Sequence, residues 1–431
     1  MRIYNLFPLL AGEFKHWDQH IERAAAMGFD WIFVNPIQKP GRSGSLYSIA
    51  DYFAIHPKLV NKRSRKKPET QIKEVIQKGE KKHGVRFMID LVINHCAVDS
   101  ELVKKHPKWF ARDGGGKIEH PYCMEDGKKV VWYDLARFDH RHTAEPEVLY
   151  RYFLKIVEHY IGLGFKGFRC DAAYQIPKDW WQRLIHDIKT KYPDTVFAAE
   201  TLGCTADQTK ETAQAGFDYI FNSSKWWDYS SPWLIEQYQL IREFVPSISF
   251  PESHDTPRLF QEAGHNVDVL KQRYAFAALF SAGVMMPMGY EFGFEKPLHV
   301  VKTTPQDWEA TDIDLTGFIS QINRIKASHK VFQEDGPLNV LSHDHSPTLF
   351  FWKASNCSRE EALIILNKDP WNKQTFQADN LYDYVQSKEP LQDLSLEYPL
   401  DFIPTPYHFE MNPGSVPPCV RLVVASIKQR N

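Results

Sequence analysis

The chain has 431 residues, 43% of them hydrophobic and 25% charged, enough apolar side chain for one large core and a smaller second one. Its 52 Lys and Arg nearly balance 54 Asp and Glu, and a net charge of -2 sets up no field toward nucleic acid or an anionic membrane. No run is long and apolar enough to span a bilayer as a helix. Aromatics, at 14%, are plentiful and suit flat apolar ligands such as sugar rings. The cysteines Cys96, Cys123, Cys170, Cys204, Cys357 and Cys419 follow no CxxC or repeated spacing, which reads as reduced thiols in a cytoplasmic protein without a zinc site. Met1 to Gly12 is basic and then apolar, but Asn5 and Pro8 break it, so it reads as a first strand rather than a signal peptide.

Strand-like apolar runs then alternate with helix-period segments. Ile3 to Phe7 is followed by a helix from His16 to Met27 and by Trp31 to Pro36. Such alternation predicts parallel strands joined by crossover helices. The basic run Lys62 to Lys67 precedes Pro68 and a helix, and reads as a solvated loop. Val85 to His95 is a third buried strand with a polar end. The pattern breaks between Cys96 and Glu145, where Gly114 to Gly116, several His, Trp109, Trp132 and Tyr133 show no clean period. The three glycines and Lys117 lack the spacing of a P-loop.

Regularity returns with a helix from Glu147 to Ile161, a helix end at Gly164, and a short strand that leads through Arg169 to Asp171. A helix from Trp180 to Lys191 and the strands Thr195–Glu200, Phe217–Phe221, Ile248–Asp255 and Val284–Gly289 complete eight strands. This predicts an α/β fold: a (β/α)8 TIM barrel over 1–95 and 146–328, an irregular subdomain, 96–145, inserted after strand 3, and a C-terminal antiparallel β domain, a β-sandwich, over 329–431.

Three acids close predicted strands: Asp171, Glu200 and Asp255. Asp171 taken alone reads first as a structural residue, a partner for Arg169 or the N-cap of the next helix. Together, acids at the C-terminal ends of barrel strands converge on one rim, and their mutual repulsion raises the pKa of at least one. One charged and one protonated carboxylate about 5 to 5.5 Å apart is what retaining glycoside cleavage requires. Arg169, two residues before Asp171 and on the same strand face, would keep the nucleophile ionised, while His95 and His254 could donate to sugar hydroxyls.

Four short motifs then carry a resemblance: Asp90-Leu-Val-Ile-Asn-His95, Gly167-Phe-Arg-Cys-Asp171, Glu200 after an apolar strand, and Ser253-His-Asp255. In this order they resemble those of the α-amylase superfamily, glycoside hydrolase family 13, and the likeness runs from Tyr4 through the C-terminal β domain. The resemblance implies Asp171 as nucleophile, Glu200 as general acid/base and Asp255 as the acid that fixes substrate hydroxyls. It implies substrate contacts from Asp90, Arg169, His95 and His254, with Tyr47 as a stacking platform. No cofactor is required by it, and calcium enters only through Asn94, the position of a metal ligand in calcium-dependent relatives.

Where many α-amylases carry a Lys-His pair after the nucleophile, on the leaving-glucan side, this chain has Tyr174 and Gln175. Ser48 replaces an acid after the stacking tyrosine, and Ser253 replaces Asn or Asp before His254. The expected substrate is an α-glucan or malto-oligosaccharide, cleaved by hydrolysis. The alternatives are maltosyl or glucanosyl transfer from maltose 1-phosphate or a glucan donor, which Ala26 to Asp30, Asn35-Pro36 with Gly44 to Tyr47, and Ile319 to Lys326 favour by likeness, and a non-catalytic sugar-binding member of the fold. Lys178, Lys296 and Lys302 fall in predicted rim loops where a phosphate could be met. No nucleic-acid or membrane partner is expected.

Overall fold

The computed structural model describes residues 1–125, 128–357, 360–387, 389–396, 399–411 and 420–426. Eight strands, β1 (Arg2–Leu6), β2 (Trp31–Val34), β3 (Arg86–Leu91), β4 (Gly167–Cys170), β5 (Val196–Ala199), β6 (Tyr219–Phe221), β7 (Ser247–Ser249) and β8 (Gly283–Pro287), form a closed barrel in the order β1-β8-β7-β6-β5-β4-β3-β2. This is a (β/α)8 TIM barrel with additional β structure. Its strands are short and almost wholly buried, because helices outside and packed side chains inside cover both faces of each.

The helices follow from local chemistry. In α1 (Trp17–Ala26), Trp17, Ile21 and Ala24 recur at helical spacing and are buried. Proline opens α2 (Pro68–Lys78) and α3 (Pro146–Leu163), where a missing N–H costs nothing. Gly164, at φ 113, ends α3 and turns the chain into β4. Among the described residues the other helices of eight residues or more are α4 (Lys178–Lys191), α5 (Ala206–Ala213), α6 (Trp233–Ile241), α7 (Val267–Phe280) and α8 (Thr316–Ser328). Among the described residues no helix is long and apolar enough to cross a membrane.

The seventh strand is shorter than the run Ile248–Asp255 suggests. Pro251 offers no ladder donor, and Ser253 and Thr256 bond each other, Ser253 N–H to Thr256 Oγ1 at 3.0 Å and Thr256 N–H to Ser253 O at 3.3 Å. His254 and Asp255 therefore stand on a turn.

The chain forms two compact units. One comprises Ile3–Phe221 with Leu298–Trp308, the other Met1–Arg2, Asn222–Pro297 and Glu309–Asn431. In the first, the segment after β3 pairs His95–Ala97 antiparallel with Leu135–Arg137, and Tyr122–Glu125 with Lys128–Val131. In the second, β9 (Leu338–Val340), β10 (Thr348–Ala354), β11 (Glu360–Asn367), β12 (Gln374–Ala378), β13 (Gln392–Asp393), β14 (Tyr407–Met411) and β15 (Val420–Ser426) build an antiparallel sheet, β9-β10-β11-β15-β13, and a ribbon, β12-β14. Phe350, Leu363 and Ile365 of the sheet share a core with Phe376, Tyr407 and Met411 of the ribbon. Within the same unit Asp335 accepts from the N–H groups of Ser247 and Ala282, both at 2.6 Å, and Lys353 donates to Phe280 O at 2.7 Å. Cys96, Cys123, Cys170, Cys204 and Cys357 are free thiols; Cys419 lies outside the described residues.

Candidate active site

The register that pairs Arg169 with Asp90 on β3 and with Ala198 on β5 sets the ends of three strands side by side. Arg169, 4% exposed, uses Nη1 to donate to Asp90 Oδ1 and Oδ2 at 2.9 and 3.1 Å and to Asp171 Oδ1 at 2.8 Å. Its Nη2 lies 4.0 Å from Glu200 Oε2. One guanidinium thus gathers three carboxylates. Burial alone would lower the pKa of Arg169, but Asp90 first, then Tyr47, Glu200 and Asp171, outweigh it and hold the pKa above its ordinary value.

Asp171 is the first residue past β4, and Ala172 follows it in left-handed backbone, φ 44 and ψ 43, a conformation that costs an alanine roughly 1 to 2 kcal/mol. That twist aims the Ala172 N–H at Glu200 Oε2, 2.9 Å away. Glu200 Oε1 accepts from the N–H of Leu202. The two acids proposed by the motifs are therefore joined through main chain as well as through Arg169.

On the other side, Tyr47 donates its hydroxyl to Asp90 Oδ2 at 2.6 Å and accepts from Asn35 Nδ2 at 3.0 Å. Asn35 Oδ1 accepts in turn from Asn5 Nδ2 at 2.8 Å. Because Asn35 donates, the phenol must give its own proton to Asp90, and the chain Asn5, Asn35, Tyr47, Asp90 has one direction. Neither asparagine was anticipated as part of the site. The available signal was a polar residue inside each of two apolar strand runs, Asn5 in Ile3 to Phe7 and Asn35 closing Trp31 to Pro36.

His95 is buried, and both ring nitrogens lack a partner at hydrogen-bonding geometry among the described residues. Burial lowers its pKa, against the opposing charge of Asp171. Tyr52 fixes the turn before it, donating to Val92 O and His95 O, both at 2.9 Å. Tyr174 lies in a short 3-10 turn after Asp171, its hydroxyl accepting from Gln175 Nε2 at 3.3 Å, and burial pushes its pKa up to about 12. Ser48, buried, donates to Asp134 O at 3.3 Å.

Asn94 gives its side-chain amide to Gln175 Oε1 at 2.9 Å. Among the described residues no three His, Cys, Asp or Glu side chains come together as a metal site. Calcium takes six to eight oxygens, carboxylates prominent among them, and the surroundings of Asn94 do not fit that shell.

In the second unit, His254 is buried and its Nε2 meets Asp255 Oδ2 at 3.0 Å, while the Asp255 side chain is 47% exposed. The Asp255 N–H donates to Ser253 Oγ at 3.2 Å. Just before them Glu252 is wholly buried, accepting from Arg258 Nη1 at 2.8 Å and Leu259 N–H at 2.5 Å. Lys296 and Lys302 are exposed, and Lys178 opens α4.

Residues 1–110 match the family model "Glycogen debranching enzyme, glucanotransferase domain". Among curated relatives, an α-1,4-glucan:maltose-1-phosphate maltosyltransferase of Burkholderia pseudomallei is 24% identical over 374 residues, covering 84% of this chain and 32% of the relative. The enzyme of the same description from Myxococcus xanthus is 23% identical, covering 83% of this chain and 56% of the relative. The chain thus spans between a third and somewhat over half of the length of these relatives. Among solved structures, an α-amylase from Geobacillus thermoleovorans superposes with a TM-score of 0.78 at 14% identity, covering 98% and 97% of the two chains. One from Lactobacillus plantarum reaches 0.75 at 19% identity, covering 98% of each. These matches support the likeness of the four motifs to the α-amylase superfamily, glycoside hydrolase family 13, and the similar proteins include maltosyltransferases.

Proposed function

We propose that the protein transfers a maltosyl or longer glucanosyl unit onto an α-glucan through a covalent glycosyl-enzyme, with α-maltose 1-phosphate as the first donor to test. The observation that carries the chemistry is the single guanidinium of Arg169, hydrogen-bonded to Asp171 and 4.0 Å from Glu200. It engages Asp171 through Oδ1, and Oδ2 is the oxygen this reading assigns to the attack. In this reading protonated Glu200 gives its proton to the departing oxygen while Asp171 Oδ2 attacks the anomeric carbon. Glu200, now a carboxylate, takes the proton of an acceptor hydroxyl, whose oxygen displaces Asp171. Asp255 serves as the acid that holds substrate hydroxyls, with His95 and His254 as further contacts, Tyr47 as the stacking face and Tyr174 on the leaving-group side.

Hydrolysis uses the same intermediate with water as acceptor. Transfer is preferred over it because the curated relatives are named as transferases, and because Tyr174 and Gln175 replace the Lys-His pair of many glucan hydrolases. The test is incubation with α-maltose 1-phosphate and a malto-oligosaccharide. Acceptor chains longer by two glucose units, with free phosphate, support transfer. Maltose released into water, or cleavage of the oligosaccharide alone, supports hydrolysis.

A further inference from the structure

We infer that an amide clasp between Asn94 and Gln175 does in this chain the fastening that calcium does at the corresponding asparagine of calcium-dependent relatives. The clasp ties the end of β3 to the turn that carries Asp171, and the idea rests on the proposed function only in giving that turn its importance. Asn94, 2% exposed, donates to Gln175 Oε1 at 2.9 Å, and Gln175 passes a bond to the Tyr174 hydroxyl at 3.3 Å. The neighbouring carbonyls that a cation would compete for already accept from protein donors. Asn94 O accepts from Phe138 N–H at 3.0 Å, and Ile93 O from the His140 ring at 2.8 Å.

Both Phe138 and His140 come from the return of the inserted segment, so the two ends of that insertion and the Asp171 turn are held by protein donors. Among the described residues no acidic group of three is at hand to replace them with a metal shell. A loop fastened by a cation loosens when a chelator removes it, whereas an amide pair is indifferent to chelators.

The test uses the purified full chain and needs no activity, so it answers even if the product assay fails. Elemental analysis should find far less than one calcium per chain, and the melting temperature should be the same in calcium and in EDTA. Gln175→Ala should lower it by about 1 to 3 °C, the size expected for one partly buried hydrogen bond in a large chain, and Asn94→Ala by a similar amount. One calcium per chain, a melting temperature that falls in EDTA, or a Gln175→Ala variant as stable as the wild type would each overturn the inference.

Discussion

Ala172 donates its main-chain N–H to Glu200 from left-handed backbone, so the residue after one acid of the candidate site orients the other. Ala172→Gly should relieve the backbone cost and raise stability by up to about 1 kcal/mol. The same change frees the turn and should lower kcat by roughly threefold to tenfold, since about 1.4 kcal/mol of lost positioning is tenfold in rate. Denaturant unfolding and steady-state kinetics on one preparation read both. Loss of stability would show that the twist is relaxed where it stands.

Asp171→Asn keeps an acceptor for Arg169 but removes the nucleophile. Turnover should fall at least about a thousandfold with the unfolding midpoint little changed, because the side chain lies at a strand end rather than in the core. Residual activity within tenfold of wild type would remove Asp171 from its role.

Asn5→Leu keeps the branched outline of the side chain and breaks the first bond of the chain that ends on Asp90. Without it Asn35 can turn, Tyr47 is no longer obliged to donate to Asp90, and kcat/KM should fall about fivefold to thirtyfold, the effect of one to two kcal/mol. An unchanged kcat/KM would show that Tyr47 is held by other contacts.

Burial lowers the pKa of His140 and of His56 to about 4, and of His20 to about 3. Their unfolded values lie near 6.5, so between roughly pH 4 and 6.5 the unfolded chain binds more protons and stability rises with pH. It is fully present above about pH 6.5 and drains away on acidification. Urea midpoints measured from pH 7 to pH 4.5 should fall steadily, and His140→Gln should flatten the slope. A midpoint independent of pH over that span would contradict the burial argument.

The barrel was readable because buried parallel strands and amphipathic helices leave two different periods, visible in Trp31 to Pro36 and in the helix after His16. The acids were readable because Asp171 and Glu200 interrupt apolar runs where a strand must end. The turn after β7 was hidden, since it depends on hydroxyl bonds between Ser253 and Thr256 that no period announces. The line from Asn5 to Asp90 was hidden for a different reason. It joins residues 85 positions apart, and only strand register brings them together. The Asn94–Gln175 pair likewise required the fold, because likeness to metal-binding relatives pointed the asparagine elsewhere.

Asp335 supplies, from a point past α8, the acceptors for the Ser247 amide that opens β7 and the Ala282 amide just before β8. During synthesis, β7 and β8 therefore leave the ribosome before their anchor does, and this half of the protein stays unfinished until the later stretch emerges. A chain cut at Ser328 should for that reason be recovered as protease-sensitive material rather than as a smaller working enzyme, which limited proteolysis of the truncated product would reveal.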